Sequence, residues 1–252
     1  MATLKTYLIS GAGNTFHIAW NQTATNPAEI SKKICETNTA DGFIFLSQDT
    51  NGIYKWDFYN NDGSAAEMCG NATRCVGYFA KNILKNQSAD FQLQTIAGAI
   101  RISPNSNEQF TVHMTAIQEF SHPSYFYCDT GVPHIVIEHD KFNQYRELKS
   151  DCSKLRFHPD FLPRGTNVTL IQKTTVPEIV KAVSYERGVE DFTLACGTGA
   201  VAAAFYNFKK YHVSITQVEM PGGVLKMDLN DLNKPTMQGP AVLIGEFQYE
   251  NI

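Results

Sequence analysis

Long apolar runs are missing from this sequence. No stretch of its 252 residues approaches the roughly 20 that a helix needs to cross a bilayer. The opening residues, Met1 to Gly11, hold no apolar core of a secretion signal. Charge is sparse as well: charged residues make up 18%, and the formal net charge of −4 offers neither nucleic acid nor an anionic membrane a basic surface. No two cysteines have Cys-x-x-Cys spacing, so no zinc site is expected. Cys69 and Cys75 are six positions apart and would point about 240° away from each other on a helix. With no signal segment and a chain of this length, the six cysteines read as free thiols rather than disulfides. A soluble cytoplasmic protein is therefore expected, with no nucleic acid and no membrane as partner.

What is present is a pattern that occurs twice. Cys69-Gly70-Asn71 and Cys196-Gly197-Thr198 each follow a polar, glycine-containing loop and precede an apolar or small-residue run. After the first, such residues fall at 72, 75, 76, 79, 80 and 83, the spacing of a helix facing a core and ending near Asn86. After the second, Ala200 to Phe205 is apolar on every side, as in a buried helix. Each thiol is therefore expected at a helix N-terminus.

The flanking landmarks repeat too. A glycine turn at Gly11-Ala-Gly13-Asn14 has a counterpart at Thr130-Gly131-Val132, although His134 lies one position closer to its glycine than His17 does. A turn between strands at Ala97-Gly98 has a counterpart at Pro221-Gly-Gly223. Three landmarks in the same order argue for two similar halves, bounded as 1–116 plus 241–252 and 117–240. Strands flanking one helix per half point to an α+β fold, with each half a curved mixed sheet, barrel-like, around a central helix.

A thiol at a helix N-terminus feels the positive end of the helix dipole, which can lower its pKa toward neutrality. The unpartnered N–H groups of the first turn bind an anion such as a carboxylate. Two such half-sites facing each other would hold one carboxylate and place a thiol on each side of the adjacent carbon. One sulfur could then remove a proton while the other returns one. Cys35, Cys75, Cys128 and Cys152 lack this context and read as small core residues.

The stretches Tyr59-Asn60-Asn-Asp-Gly-Ser, Cys69-Gly-Asn71-Ala-Thr-Arg-Cys75, Gly165-Thr-Asn167-Val, Tyr185-Glu186-Arg187-Gly and Cys196-Gly-Thr-Gly resemble the diaminopimelate epimerase family over nearly the whole chain. The resemblance implies a cofactor-free epimerase that interconverts LL- and meso-diaminopimelate. It also implies a two-domain fold with the site in the cleft, and a homodimer. By position, Cys69 and Cys196 become the acid/base pair, supported by His134 and Glu186. Gly70, Asn71, Gly197 and Thr198 become the cradle of the reacting carboxylate. Asn14, Asn60, Asn167, Glu186 and Arg187 become the contacts to the distal end. The three asparagines also lie near glycines, where they could simply shape turns.

This chain departs from the family pattern at Val132, where asparagine is usual, and at Gly42, where some members use glutamine. It departs again at Phe192, in place of an acidic residue, and in one extra residue between Glu186 and Cys196. The first two changes touch the distal end of the substrate rather than the chemistry. Other readings are a proline-type or other amino-acid racemase, a hydrolase with one cysteine nucleophile, and a binding protein without turnover.

Overall fold

The computed structural model describes residues 3–22, 24–66, 68–96, 98–140 and 142–250. The chain divides into two compact units, Met1–Val112 with Gly239–Ile252, and His113–Gln238. Among the described residues no helix is long and apolar enough to cross a membrane.

The first unit contains β1 (Thr3–Gly11), β2 (Asn14–Trp20), α1 (Pro27–Asn38), β3 (Gly42–Gln48), β4 (Tyr54–Asn60), α2 (Gly70–Tyr78), β5 (Phe91–Thr95), β6 (Gly98–Pro104) and β7 (Gln109–His113). Its strands pair in sequence: β1 and β2 are antiparallel, β2 and β3 parallel, β3 and β4 antiparallel, β4 and β5 parallel, and β5, β6 and β7 antiparallel.

The second unit repeats this plan. It contains β8 (Gln118–Phe120), β9 (Phe126–Asp129), β10 (Pro133–Glu138), α3 (Lys149–Arg156), β11 (Asn167–Lys173), β12 (Ile179–Glu186), β13 (Asp191–Phe192), α4 (Gly197–Tyr211), β14 (Ile215–Met220), β15 (Gly223–Asp228) and β16 (Thr236–Pro240). From β9 onward the relations run antiparallel, parallel, antiparallel, parallel, antiparallel, antiparallel through β9, β10, β11, β12, β14, β15 and β16. The chain then returns to the first unit as β17 (Val242–Glu250), antiparallel to β1. The α+β class and the helix-on-sheet layering of each half are as expected from the sequence.

Strand alternation sorts the side chains into two layers. In the first unit Ile9, Phe16, Ile18, Ile44 and Trp56 pack around Val76 and Phe79 of the α2 segment. Their neighbours Leu8, Ala19, Phe43 and Phe45 face the other way, onto Ile34 and Cys35 of α1. In the second unit Ile135, Val168, Leu170, Val183 and Tyr185 form a core with Cys152 of α3. The alternate residues of those strands, among them His134, Thr169 and Ser184, lie on the side of α4. Ala200, Ala202, Ala203 and Ala204 are all fully buried, because alanine lets strands approach a helix on every side and has the strongest helix propensity.

Several boundaries differ from the pattern reading. The helix read to Asn86 is α-helical only to Tyr78, and a π-helical turn continues it over Phe79–Ile83. The α4 helix is longer at both ends than its apolar stretch: it starts at Gly197, directly after its Cys196 cap, and at the other end Lys209 and Lys210 prolong it on an exposed face. The strands β8, β9, β13 and β16 are too short or too polar to show a period of two. Gly98 and Gly223 open β6 and β15 at φ +117° and +151°, conformations that side-chain-bearing residues rarely adopt. Ala97, part of the first of these turns, lies outside the described residues.

Candidate active site

Both helices named by the repeated pattern begin at its cysteine. Cys69 is the N-cap of α2 and Cys196 the N-cap of α4, each with an extended backbone. The sheet register decides what surrounds each one.

In the second unit His134 of β10 lies beside Asn167 of β11. Glu186 ends β12 one position past the Val168–Tyr185 pair, next to Asn167. His134, Asn167 and Glu186 thus line up across three strands, and His134 reaches the start of α4 through Thr198, whose Oγ1 is 3.0 Å from its Nε2.

The hydrogen bonds fix the protonation of this cluster. Asn167 Oδ1 accepts the Arg187 backbone N–H at 2.7 Å, so its Nδ2 is the end that lies 3.2 Å from His134 Nε2. Nε2 must therefore be an acceptor, and the imidazole proton sits on Nδ1, which donates to Thr169 Oγ1 at 2.9 Å. Thr169 Oγ1 is in turn 3.0 Å from Ser184 Oγ. Burial, with the Arg187 charge as a smaller influence, pushes the His134 pKa down to about 3. His134 is thus a neutral acceptor in the free protein.

Cys196 Sγ accepts the Gly199 N–H at 3.3 Å, lies 3.4 Å from Thr198 Oγ1 and is hydrogen-bonded to the Glu186 carboxyl. Here the expectation of a lowered thiol pKa fails. The N–H and the hydroxyl do pull it down, but burial and then the Glu186 carboxylate outweigh them, and the thiol is held well above its ordinary value. Burial also raises the Glu186 carboxyl, against the hydrogen bonds it receives from Thr193 and Cys196. The half-buried carboxylate thus raises the cost of ionising the buried thiol, whereas the hydrogen bond from the thiol favours the ionised carboxylate.

In the first unit Cys69 is half-buried, and its carbonyl accepts from the N–H and Oγ1 of Thr73 at 2.9 and 2.8 Å. Asn71 is buried and donates from Nδ2 to Asn14 Oδ1 at 2.6 Å, joining two of the predicted binding residues. Asn60 is exposed and donates from Nδ2 to Ser64 Oγ at 3.0 Å, within its own turn. Arg187 is half-buried and donates from Nη1 to the Arg164 carbonyl at 3.3 Å.

The two half-sites are built alike and equipped differently. By register, the positions of His134, Asn167 and Glu186 correspond in the first unit to Phe16, Gly42 and Asn60. Gly42 has no room for a larger residue: a Cβ there would stand 2.7 Å from the Tyr59 carbonyl oxygen and 2.9 Å from the Phe58 ring. His17 is not the counterpart of His134. One step along a strand reverses the face, and His17 points to the α1 side between Phe43 and Phe247, with Nδ1 3.0 Å from Thr6 Oγ1. Phe192 packs on Tyr145 and Tyr185.

Pattern reading missed Thr169, Ser184 and Thr193, which hold His134 and Glu186 in place. Their signal was available for the first two: each lies two residues along a strand from a predicted site residue and so shares its face. It also missed Arg74, quoted in the first cysteine motif but given no role. A cavity of about 550 Å³ on the second unit, lined by Tyr125, Phe126, Glu138, Tyr206 and Lys210 among others, contains none of the predicted site residues. Among the described residues no three His, Cys, Asp or Glu side chains cluster closely enough to hold a metal ion.

A family model for diaminopimelate epimerase matches residues 6–119 and 126–244. The diaminopimelate epimerase of Flavobacterium psychrophilum is 32% identical over 96% of this chain and 99% of its own. That of Aquifex aeolicus is 30% identical over 96% of each. Among solved structures, a phenazine biosynthesis protein of the PhzF family from Bacillus anthracis superposes with a TM-score of 0.77 at 14% identity, covering 99% of this chain and 100% of that one. A hydroxyproline epimerase from Agrobacterium vitis, with bound trans-4-hydroxy-L-proline, superposes with a TM-score of 0.66 at 14% identity, over 98% and 92%. At such identities the structural likeness is one of fold.

Proposed function

This chain belongs to the diaminopimelate epimerase family and is an isomerase, and from that premise we propose that it interconverts LL- and meso-diaminopimelate with Cys69 and Cys196 as paired acid and base. The observation that carries this reading is that both cysteines cap the N-terminus of the equivalent helix in two halves of identical strand order. In this mechanism the N–H groups around Gly70, Asn71, Gly197 and Thr198 hold the reacting carboxylate and stabilise the charge that develops on it. One sulfur, as thiolate, takes the α-proton from one face, and the other, as thiol, delivers a proton to the opposite face. The roles exchange when the reaction runs backward.

Glu186 supports the cycle by accepting the Cys196 proton, and neutral His134 keeps Thr198 oriented. Asn14, Asn60, Asn167 and Arg187 receive the distal end; a guanidinium can bind a carboxylate through two parallel hydrogen bonds. The enzyme works without cofactor or metal on a free amino acid, as a cytoplasmic homodimer.

A second reading keeps the chemistry and changes the substrate. Val132 supplies no amide, and the backbone packing at Gly42 admits no side chain, so the distal pocket favours another amino acid of the same reaction class. One experiment addresses both. The protein is incubated in deuterium oxide with LL-diaminopimelate or with a panel of other amino acids, and loss of the α-hydrogen signal is followed for wild type, Cys69→Ser and Cys196→Ser. Wild type should exchange, and each variant should lose most turnover. No exchange with any amino acid would remove the epimerase reading, and full turnover in either variant would remove the paired-cysteine mechanism.

A further inference from the structure

The largest fully buried side chain among the described residues carries a permanent charge. Arg74 lies on the second turn of α2, five residues after Cys69, with no solvent exposure. Its Nε donates to the Pro240 carbonyl at 3.1 Å, its Nη1 to the Gly70 carbonyl at 3.4 Å and its Nη2 to Asn71 Oδ1 at 2.8 Å. The equivalent position in the second unit, five residues after Cys196, is Val201, so the fold does not require a cation there. Burying a guanidinium is expensive unless each N–H is matched and the charge has a use.

The use follows from donor and acceptor counting. A guanidinium has five donors, no acceptor and no accessible neutral form. The end of the Asn71 amide facing Arg74 must therefore be its oxygen, and the end facing Asn14 must be its NH₂. Asn71 Nδ2 donates to Asn14 Oδ1 at 2.6 Å, so Asn14 is oriented in turn, with its oxygen toward Asn71. The Asn14 NH₂ is then the terminus of a chain whose direction is set two residues upstream. An unanchored asparagine could rotate and offer either end.

We propose that Arg74 is a positioning residue that sets the amide orientations of Asn71 and Asn14, so that this half-site presents N–H donors and selects the carboxylate of an amino-acid substrate over its ammonium group. The proposal rests on the reading of the site as an amino-acid epimerase, but its first test does not. That test follows the side-chain amide ¹⁵N–¹H resonances of Asn14 and Asn71 in the substrate-free protein. Wild type should give one set with slowly exchanging protons. Arg74→Lys keeps the charge and loses the planar fork; it should give doubled or exchange-broadened Asn14 and Asn71 signals, with backbone amides of the sheet unchanged. Single, unshifted signals in Arg74→Lys overturn the proposal.

Asn71→Asp, which keeps Arg74 paired, provides the second arm if the lysine variant does not fold. Here Asn14 has only acceptors to face and must turn its NH₂ inward, which should shift its resonance. An unshifted Asn14 signal overturns the proposal. In the exchange assay Arg74→Lys should raise KM about tenfold, the order expected for losing one charge-assisted hydrogen bond, and change kcat less. A fall in melting temperature with KM unmoved counts against it. Wild type without activity would defeat the epimerase reading while the resonances still decide the orientation chain.

Discussion

Replacing Gly199 with alanine tests how the start of α4 is held against its sheet. A Cβ at this position would stand 2.1 Å from Ser184 Oγ, 3.2 Å from Ser184 Cβ and 3.2 Å from Cys196 Sγ. In the equivalent place α2 already carries Ala72, so helix geometry is no obstacle, and alanine would by itself favour the helix by about 0.5–1 kcal/mol. The obstacle is the Ser184 hydroxyl. For the clash to be relieved, Oγ must rotate away from Thr169, which lies 3.0 Å from it and in turn receives the His134 proton.

A buried hydroxyl left without its partner costs about 1–3 kcal/mol, and overpacking of the remaining 3.2 Å contacts costs a similar amount. The gain in propensity offsets only part of this, so Gly199→Ala should lose about 1–5 kcal/mol in urea unfolding. Ser184→Ala alone should lose about 1 kcal/mol through the unpaired Thr169 hydroxyl. The double variant removes the obstacle and should be more stable than the sum of the singles by about 1 kcal/mol or more. A stabilised Gly199→Ala, or strict additivity in the cycle, would refute the reasoning.

Two further outcomes follow from buried titratable groups. Burial pushes the His17 pKa down to about 4, and that of His134 to about 3 with help from Arg187, against about 6.5 in the unfolded chain. The unfolded state then binds more protons below pH 6.5, so the stability is fully present above that value and is lost as pH falls through the window from 6.5 toward 4 and 3. For His17 the full loss is about 3 kcal/mol, and urea midpoints at pH 7, 5.5 and 4.5 should fall in that order; a flat profile contradicts the burial of these rings. Glu186→Gln removes the charge that helps hold the Cys196 thiol up. Iodoacetamide should then alkylate Cys196 faster than in wild type at pH 8; a slower rate would overturn this charge effect, and an unchanged rate would show that Glu186 does not control this sulfur.

Much of the architecture was legible because it is written twice. Cys-Gly before an apolar run marked the starts of α2 and α4, and the spacing named Ala72, Cys75, Val76, Phe79 and Ala80 among the buried residues, while Gly70, Asn71, Thr73, Arg74 and Gly77, off that face, are buried too and Ile83 only in part. Short strands such as Asp191–Phe192 carry too few residues for any period to show. The contrast between His17 and His134 was visible only as a one-position offset. Its consequence, opposite faces of the sheet and separate environments, appears once the strands are paired.

The duplicated cysteines, their place at helix starts and the kinship of the two halves are properties of the linear pattern, since local propensity and spacing suffice to set them. The chemical difference between the halves is not. Burial and the Glu186 carboxylate reversed the direction expected for the Cys196 thiol. The Asn167 amide decided which nitrogen of His134 carries the proton, and the enclosure of Arg74 oriented Asn71. These outcomes depend on which groups meet once the chain is folded, as His134 and Asn167 do across paired strands, and on how much water is excluded around groups such as Arg74, and only the tertiary structure decides that.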